Sequence, residues 1–188
     1  MSGPSAKTFA LGAVVVAAVG LALRFAGVTF GAPHEILPTP AGLTGRAGAD
    51  LDRALAERSP RDRTAAVAFA LDYTARRLRF GLGHPTSLDF SRVPRQGNCV
   101  EYAYLFAAAF NAAAARAHLT ARAFRVHSDA ARVFGMALPL RGWTDHDWTL
   151  VVDPADGTRL YLDPTLYDAW LGPWAATNVR DKGAIRLP

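Results

Sequence analysis

The longest uninterrupted stretch of apolar positions comes first. Phe9 to Leu23 holds no polar side chain, and after Arg24 a second apolar run continues to Ala32. About 15 residues is close to the length of a signal-peptide core. Read on to Phe30, the run reaches about 22 residues, enough to cross a bilayer if Arg24 bends back to the interface. The small residues around Ala22 offer no Ala-x-Ala cleavage site. Residues 1–32 are therefore expected to form an uncleaved membrane anchor rather than a removed signal, with a buried core helix as the third reading. Lys7 and Arg24 flank the first run almost evenly and leave its orientation unspecified. A short tail ahead of a lone anchor favours a domain on the periplasmic or extracellular side.

Beyond the anchor, Pro33 to Gly48 is broken by Pro38, Pro40, Gly42 and Gly45, and reads as a linker over 33–48. Leu51 and Leu55 give Ala49 to Arg58 one apolar side, and Ser59-Pro60 stops that helix. A second helix is expected from Arg61 or Asp62 to about Phe80, with Ala66, Phe69, Ala70, Tyr73 and Leu78 on its apolar face. Gly81 to Gln96 is a long loop whose Leu88, Phe90 and Val93 must pack over something. Val100 to His118 is then almost wholly Ala, Leu, Phe and Tyr, and Asn98 is a suitable N-cap for it. After that helix the period changes to two. Strands are expected at Thr120–His127, Asp145–Asp153 and Thr158–Leu162, the last two joined by the turn Pro154-Ala155-Asp156-Gly157. Ala130 to Trp143 is irregular or carries a short strand, and Tyr167, Trp170 and Trp174 are placed to cover the sheet. Helices first and antiparallel strands afterwards make the domain, residues 49–188, α+β.

Composition narrows the function. Half of the 188 residues are apolar, which is enough for a real core. The net charge is +5, carried almost wholly by arginine, since Lys7 and Lys182 are the only lysines. No aromatic-interleaved basic stripe accompanies the arginines, so a solvated face, anionic lipid or an acidic partner fits better than nucleic acid. One cysteine excludes an intramolecular disulfide and any all-cysteine metal cage.

That cysteine stands at the junction Gln96-Gly97-Asn98-Cys99-Val100-Glu101-Tyr102, where a loop gives way to the Ala-rich helix. A thiol in a helix's first turn faces unpaired backbone amides and the positive end of the dipole; both favour thiolate, and the same amides can donate to an oxyanion. Against this, a lone cysteine is commonly just a small buried apolar residue. A nucleophile also needs a base, and the base needs an orienting group. His34 lies in the linker. His118 ends the helix about 28 Å from Cys99 at 1.5 Å per residue. His84 and His127 stand isolated. His146 opens a strand in His146-Asp147-Trp148, with Trp148 on its face to shield an ion pair and Asp147 turned away. For the orienting carboxylate, Asp153 is roughly 23 Å along the same strand. Asp163, on the returning strand, lies diagonal to His146 if it pairs with Trp148, and a one-residue slip would put it on the wrong face. A metal site built from His84, His127, His146 and aspartates has no ligand spacing behind it.

Cys99, His146 and Asp163, in that order, resemble the transglutaminase-like superfamily of papain-type cysteine enzymes. Gly97-Asn98-Cys99-Val100-Glu101-Tyr102 is similar to the Gly-x-Cys-x-acidic-aromatic helix start of that family. His146-Asp147-Trp148 is similar to its His-x-Trp strand, and Asp163-Pro164-Thr165 to its Asp-Pro-Thr strand end. The likeness covers roughly residues 62–168. It implies a papain/transglutaminase-like core with Cys99 as nucleophile, His146 as general base and acid, and Asp163 as orienter. Gln96 is the candidate oxyanion donor beside the Cys99 amide, and Trp148 the candidate substrate-binding residue. The chemistry implied is acyl transfer through a thioester, with no metal or cofactor. Its substrate would be a peptide, protein or cell-wall amide, hydrolysed or passed to an amine. Asp147 departs from the alanine common after the histidine, and Glu101 is expected to fix the helix start rather than do chemistry. The competing reading is an inactive module of this kind that binds or assembles in a membrane complex, its groove filled by the 81–96 loop or the C-terminal tail.

Overall fold

A computed structural model of the chain describes residues 28–30, 35–39, 41–81, 83–128, 131–133, 136–137 and 146–168. Helix α1 (Gly45–Arg58) buries Leu51 and Leu55, the spacing expected of its apolar side. It starts earlier than Ala49 because its first turn packs on the chain leading into it: a Cβ on Gly48 would stand 2.6 Å from the Leu43 carbonyl oxygen. Helix α2 (Arg63–Arg77) is capped by Asp62, whose carboxylate accepts from the Ala65 amide at 2.8 Å.

Helix α2 does not continue to Phe80. Leu78–Phe80 is strand β3, paired in parallel with β4 (Arg95–Gly97). The helical period held through Leu78, but its side chain is fully buried against Gly97, and the pair is closed by Gly81 N–H donating to the Gly97 carbonyl at 3.0 Å. Tertiary pairing thus overrides local propensity at the end of the helix. The two glycines are where the ribbon is tightest. A Cβ on Gly97 would meet both Leu78 methyls at 3.1 Å, and one on Gly81 would meet the Gln96 carboxamide carbon at 3.1 Å.

Helix α3 (Cys99–Arg116) is the axis of the domain. Tyr102, Leu105, Phe106, Phe110 and six alanines along it are buried, so it is apolar nearly all round, as a helix enclosed on several sides must be. It ends with His118 in the left-handed region (φ 54°) and the Leu119 amide donating to the Ala114 carbonyl.

The main sheet is antiparallel, in the order β2 (Glu35–Leu37), β5 (Arg122–Ser128), β8 (His146–Asp153), β9 (Thr158–Leu162). Ala123, Val151 and Leu162 from one face join the core with α1, α2 and α3. Asn111 fastens α3 to β5 by accepting from the Ala123 amide (2.8 Å) and donating to its carbonyl (3.1 Å). A second sheet has the order β1 (Val28–Phe30), β6 (Ala131–Val133), β7 (Met136–Ala137). The short helix α4 (Pro164–Leu166) follows β9. The α+β class and the antiparallel sheet are as the periodicity predicted.

The N-terminal boundaries need correction. Glu35–Leu37, read as linker, pairs with Arg125–His127 at the edge of the main sheet, and the Thr39 hydroxyl accepts from the Arg125 amide at 2.9 Å. Val28–Phe30, the end of the apolar run, is a strand paired with Ala131–Val133, so a spanning helix cannot extend through Phe30. Residues 9–27, Trp170 and Trp174 lie outside the described residues. Among the described residues no helix is long and apolar enough to cross a membrane.

Candidate active site

Asn98 opens α3 with extended backbone, and its side-chain oxygen accepts from the amides of Val100 (3.1 Å) and Glu101 (3.4 Å). Glu101 answers by accepting from the Asn98 amide at 2.8 Å, completing a capping box. The cap therefore uses the Val100 and Glu101 amides, so of the first-turn donors expected for an oxyanion, Cys99's own is the one the cap does not take. Cys99 is partly exposed.

Glu101 does more than cap. It is fully buried, and its other oxygen accepts from the Ser87 amide (3.0 Å) and from the Arg95 guanidinium, which also donates to the Ser87 carbonyl. Burial alone would raise its pKa, but Arg95 and the Asn98 and Ser87 amides outweigh that and hold it below the ordinary range. Thr86 accepts from the Asn98 carboxamide at 2.8 Å. The 81–96 loop is thus bound along the start of the Cys99 helix, and Glu101 has the structural role expected of it.

His146 is buried at the start of β8. Its Nε2 meets Asp163 Oδ2 at 2.7 Å, and Cys99 lies close enough to the imidazole to act on its charge. Burial disfavours the imidazolium, yet the Asp163 carboxylate and Cys99 together overcome that and lift its pKa to about 10. Asp163 is fully buried and uses both oxygens: Oδ1 caps α4 by accepting from Thr165 (2.9 Å) and Leu166 (3.2 Å), which leaves Oδ2 aimed at the imidazole. The register explains the meeting. Thr149 pairs with Leu162, so the next pair along sets Trp148 opposite Asp163, and His146 lies on the diagonal. Asp153, the other carboxylate considered, is at the far end of β8, held by Arg63 (2.7 Å) and Thr120 (2.6 Å).

His127 and His84 have other partners. His127 Nδ1 contacts Asp147 at 2.7 Å, and Arg125 pairs with the same carboxylate at 2.9 Å. That is where the departure at position 147 goes: its charge is buried away from His146, between two cations or potential cations of β5. His84 Nδ1 contacts the Pro85 carbonyl at 3.1 Å.

One expected role changes. Trp148 is completely buried, its indole N–H donating to Ser128 Oγ at 2.9 Å and its ring packed on Tyr161 at 5.3 Å between centroids. It cannot touch a substrate in this arrangement, so it is not the substrate-binding residue expected. Gln96 is exposed on β4, with its carboxamide lying over Gly81. The contacts that hold the site also include residues the sequence did not single out: Arg95, Ser87 and Asp168. Arg95 was legible only as one basic residue among many, and Asp168 carried no signal.

Two clefts among the described residues lie away from Cys99. One of about 320 Å³ opens between the C-terminal half of α3 and β5, lined by Asn111, Ala115 and Arg122 among others. Another of about 400 Å³ lies between the chain entering α1 and Leu88–Ser91. No protein-family model, curated protein or solved structure matches the chain.

Proposed function

We propose that this is a cysteine acyl-transfer enzyme of the transglutaminase-like, papain-type kind, working through Cys99, His146 and Asp163. The observation that carries the reading is the placing of His146, close enough to Cys99 to respond to it and with Nε2 held 2.7 Å from a buried carboxylate. A nucleophile, a base and an orienter in that relation form a catalytic set whatever the fold around them.

In the working form the proton sits on His146 and the thiolate of Cys99 attacks an acyl carbonyl. The oxyanion is received by the Cys99 amide, with Gln96, three residues ahead, as the second donor. His146 gives its proton to the departing amine, leaving the acyl group as a thioester on Cys99. It then takes a proton from water, giving hydrolysis, or from an incoming amine, giving transfer. Asp163 keeps the imidazole turned and stabilises its charged form. Trp148 on the same strand keeps water from the pair's flank. Peptide, protein and cell-wall amides are the substrate class. The apolar run supports attachment to a membrane, with about 19 residues (9–27) left for a span ahead of β1, close to the ~20 a bilayer needs. The domain would then lie on the periplasmic or extracellular side.

An activated ester tests the chemistry without knowledge of the natural substrate. With p-nitrophenyl acetate, the protein is expected to release one equivalent of p-nitrophenol in a burst and to carry an acetyl group on Cys99 by mass spectrometry. His146→Ala should lose the burst. An unmodified Cys99 in the parent would refute acyl transfer.

A further inference from the structure

The Asp163 turn is tied to the Cys99 helix by a partly buried hydrogen bond. Tyr102 lies three residues after Cys99, one turn along α3, and its hydroxyl donates to Asp168 Oδ2. Asp168 is five residues after Asp163, and the same oxygen accepts from the Phe80 amide of β3 at 3.2 Å. The carboxylate therefore gathers three segments: the helix that carries the thiol, the ribbon that leads into it, and the turn that follows Asp163.

Packing alone does not require this bond. Tyr102 is fully buried, and a phenylalanine ring would fill the same space without taking a hydroxyl out of water. A buried phenol is stable only with a partner, and the partner here is charged, which makes the bond a strong one. The phenol on the turn itself differs in one respect. Tyr167 donates to Asp72 at 2.8 Å, and Asp72 belongs to α2, which carries none of the reacting groups. Both bonds steady the turn, but only the one from Tyr102 refers it to the helix of the nucleophile.

We propose that Tyr102 and Asp168 are positioning residues that set the distance between His146 and Cys99, by holding the Asp163 turn against the first turns of the Cys99 helix. The inference rests on reading Cys99, His146 and Asp163 as a nucleophile, base and orienter. In that reading a shift of the turn moves Asp163 Oδ2, the imidazole follows its 2.7 Å bond, and the approach to the thiol is lost.

The test compares the parent with Tyr102→Phe, Asp168→Ala, their double variant, Asp168→Asn and Tyr167→Phe. Each is melted, and its Cys99 alkylation by iodoacetamide is followed against pH. In Tyr102→Phe and Asp168→Ala, alkylation at about pH 6 is expected to fall roughly ten- to a hundredfold, the scale of a displacement of about 1 Å at a reacting centre. The double variant should be no slower than either single one, because both remove the same bond. Asp168→Asn keeps an acceptor oxygen and should retain most of the low-pH rate, which preserves the test if Tyr102→Phe fails to fold. Tyr167→Phe should melt earlier yet keep the parent's profile. A parent profile in folded Tyr102→Phe and Asp168→Ala, or an equal loss in Tyr167→Phe, would overturn the positioning role alone. A parent whose thiol shows no His146-dependent reactivity at low pH would refute the underlying reading, and the positioning role with it.

Discussion

Replacing Glu101 with glutamine removes one charge from a fully buried acidic group at the site and changes little in shape. The carboxylate is fully buried and accepts from the Asn98 amide at 2.8 Å, the Ser87 amide at 3.0 Å and the Arg95 guanidinium. A glutamine offers one acceptor oxygen. Its amino group would face a donor on the other side, and the largely buried Arg95 would lose its counter-charge. Removing one partner of a buried ion pair costs about 3–5 kcal/mol. Arg95 also donates to the Ser87 and Gln96 carbonyls, so part of its charge stays solvated by the protein and about 2–4 kcal/mol is the better figure. For a domain of this size that is about 5–15 °C in melting temperature at neutral pH. The pH dependence supplies a second check. Glu101 is held below its ordinary pKa in the fold, so its contribution is fully present above about pH 4.5 and is lost as pH falls through the lower folded value. The gap between parent and Glu101→Gln in urea midpoint should therefore be widest near neutral pH and close in acid. A loss under about 1 kcal/mol, or a gap that persists unchanged in acid, would refute the idea that this carboxylate clamps the loop to the helix.

Gly97→Ala should cost about 1–3 kcal/mol in thermal melting, because the new methyl meets both Leu78 methyls at 3.1 Å and Leu78 is fully enclosed. Asn98→Ala should lose about 1 kcal/mol by removing the acceptor for the Val100 and Glu101 amides, with faster hydrogen exchange confined to the first turn of α3. For His146 the sign is opposite to that of Glu101. Its pKa is raised to about 10, so its stabilisation is complete below about pH 6.5 and fades as pH rises through about 10. The denaturant midpoint of the parent should accordingly converge on that of His146→Ala across this window, and a gap that widens toward alkaline pH would contradict the assignment.

The site was more legible in the sequence than the borders of the domain. Cys99, Asn98 and Glu101 stood at a change from Pro/Gly-rich loop to Ala-rich helix, a local signal that capping chemistry makes specific. The His146–Asp163 pairing was legible conditionally: the strand period put both on one face if Asp163 stood opposite Trp148, and a one-residue slip would have separated them. What escaped were the non-local pairings. Glu35–Leu37 is too short and too close to proline to show strand periodicity, and it is a strand only because β5 offers an edge. Leu78–Phe80 continues the helical pattern of α2 and leaves it because Gly97, nineteen residues on, makes room for Leu78. Trp148 shared a face with His146 as alternation required, but sequence could not reveal that Tyr161 and Ser128 close over it.

The central claim is that Cys99 and His146 work as a thiolate–imidazolium pair. Its most direct test is the rate of Cys99 alkylation by iodoacetamide as a function of pH, in the parent and in His146→Ala. The account predicts fast alkylation of the parent already at about pH 6, and in the variant a rate that rises only as an ordinary thiol ionises, near pH 8.5. The same late rise in both proteins would contradict it.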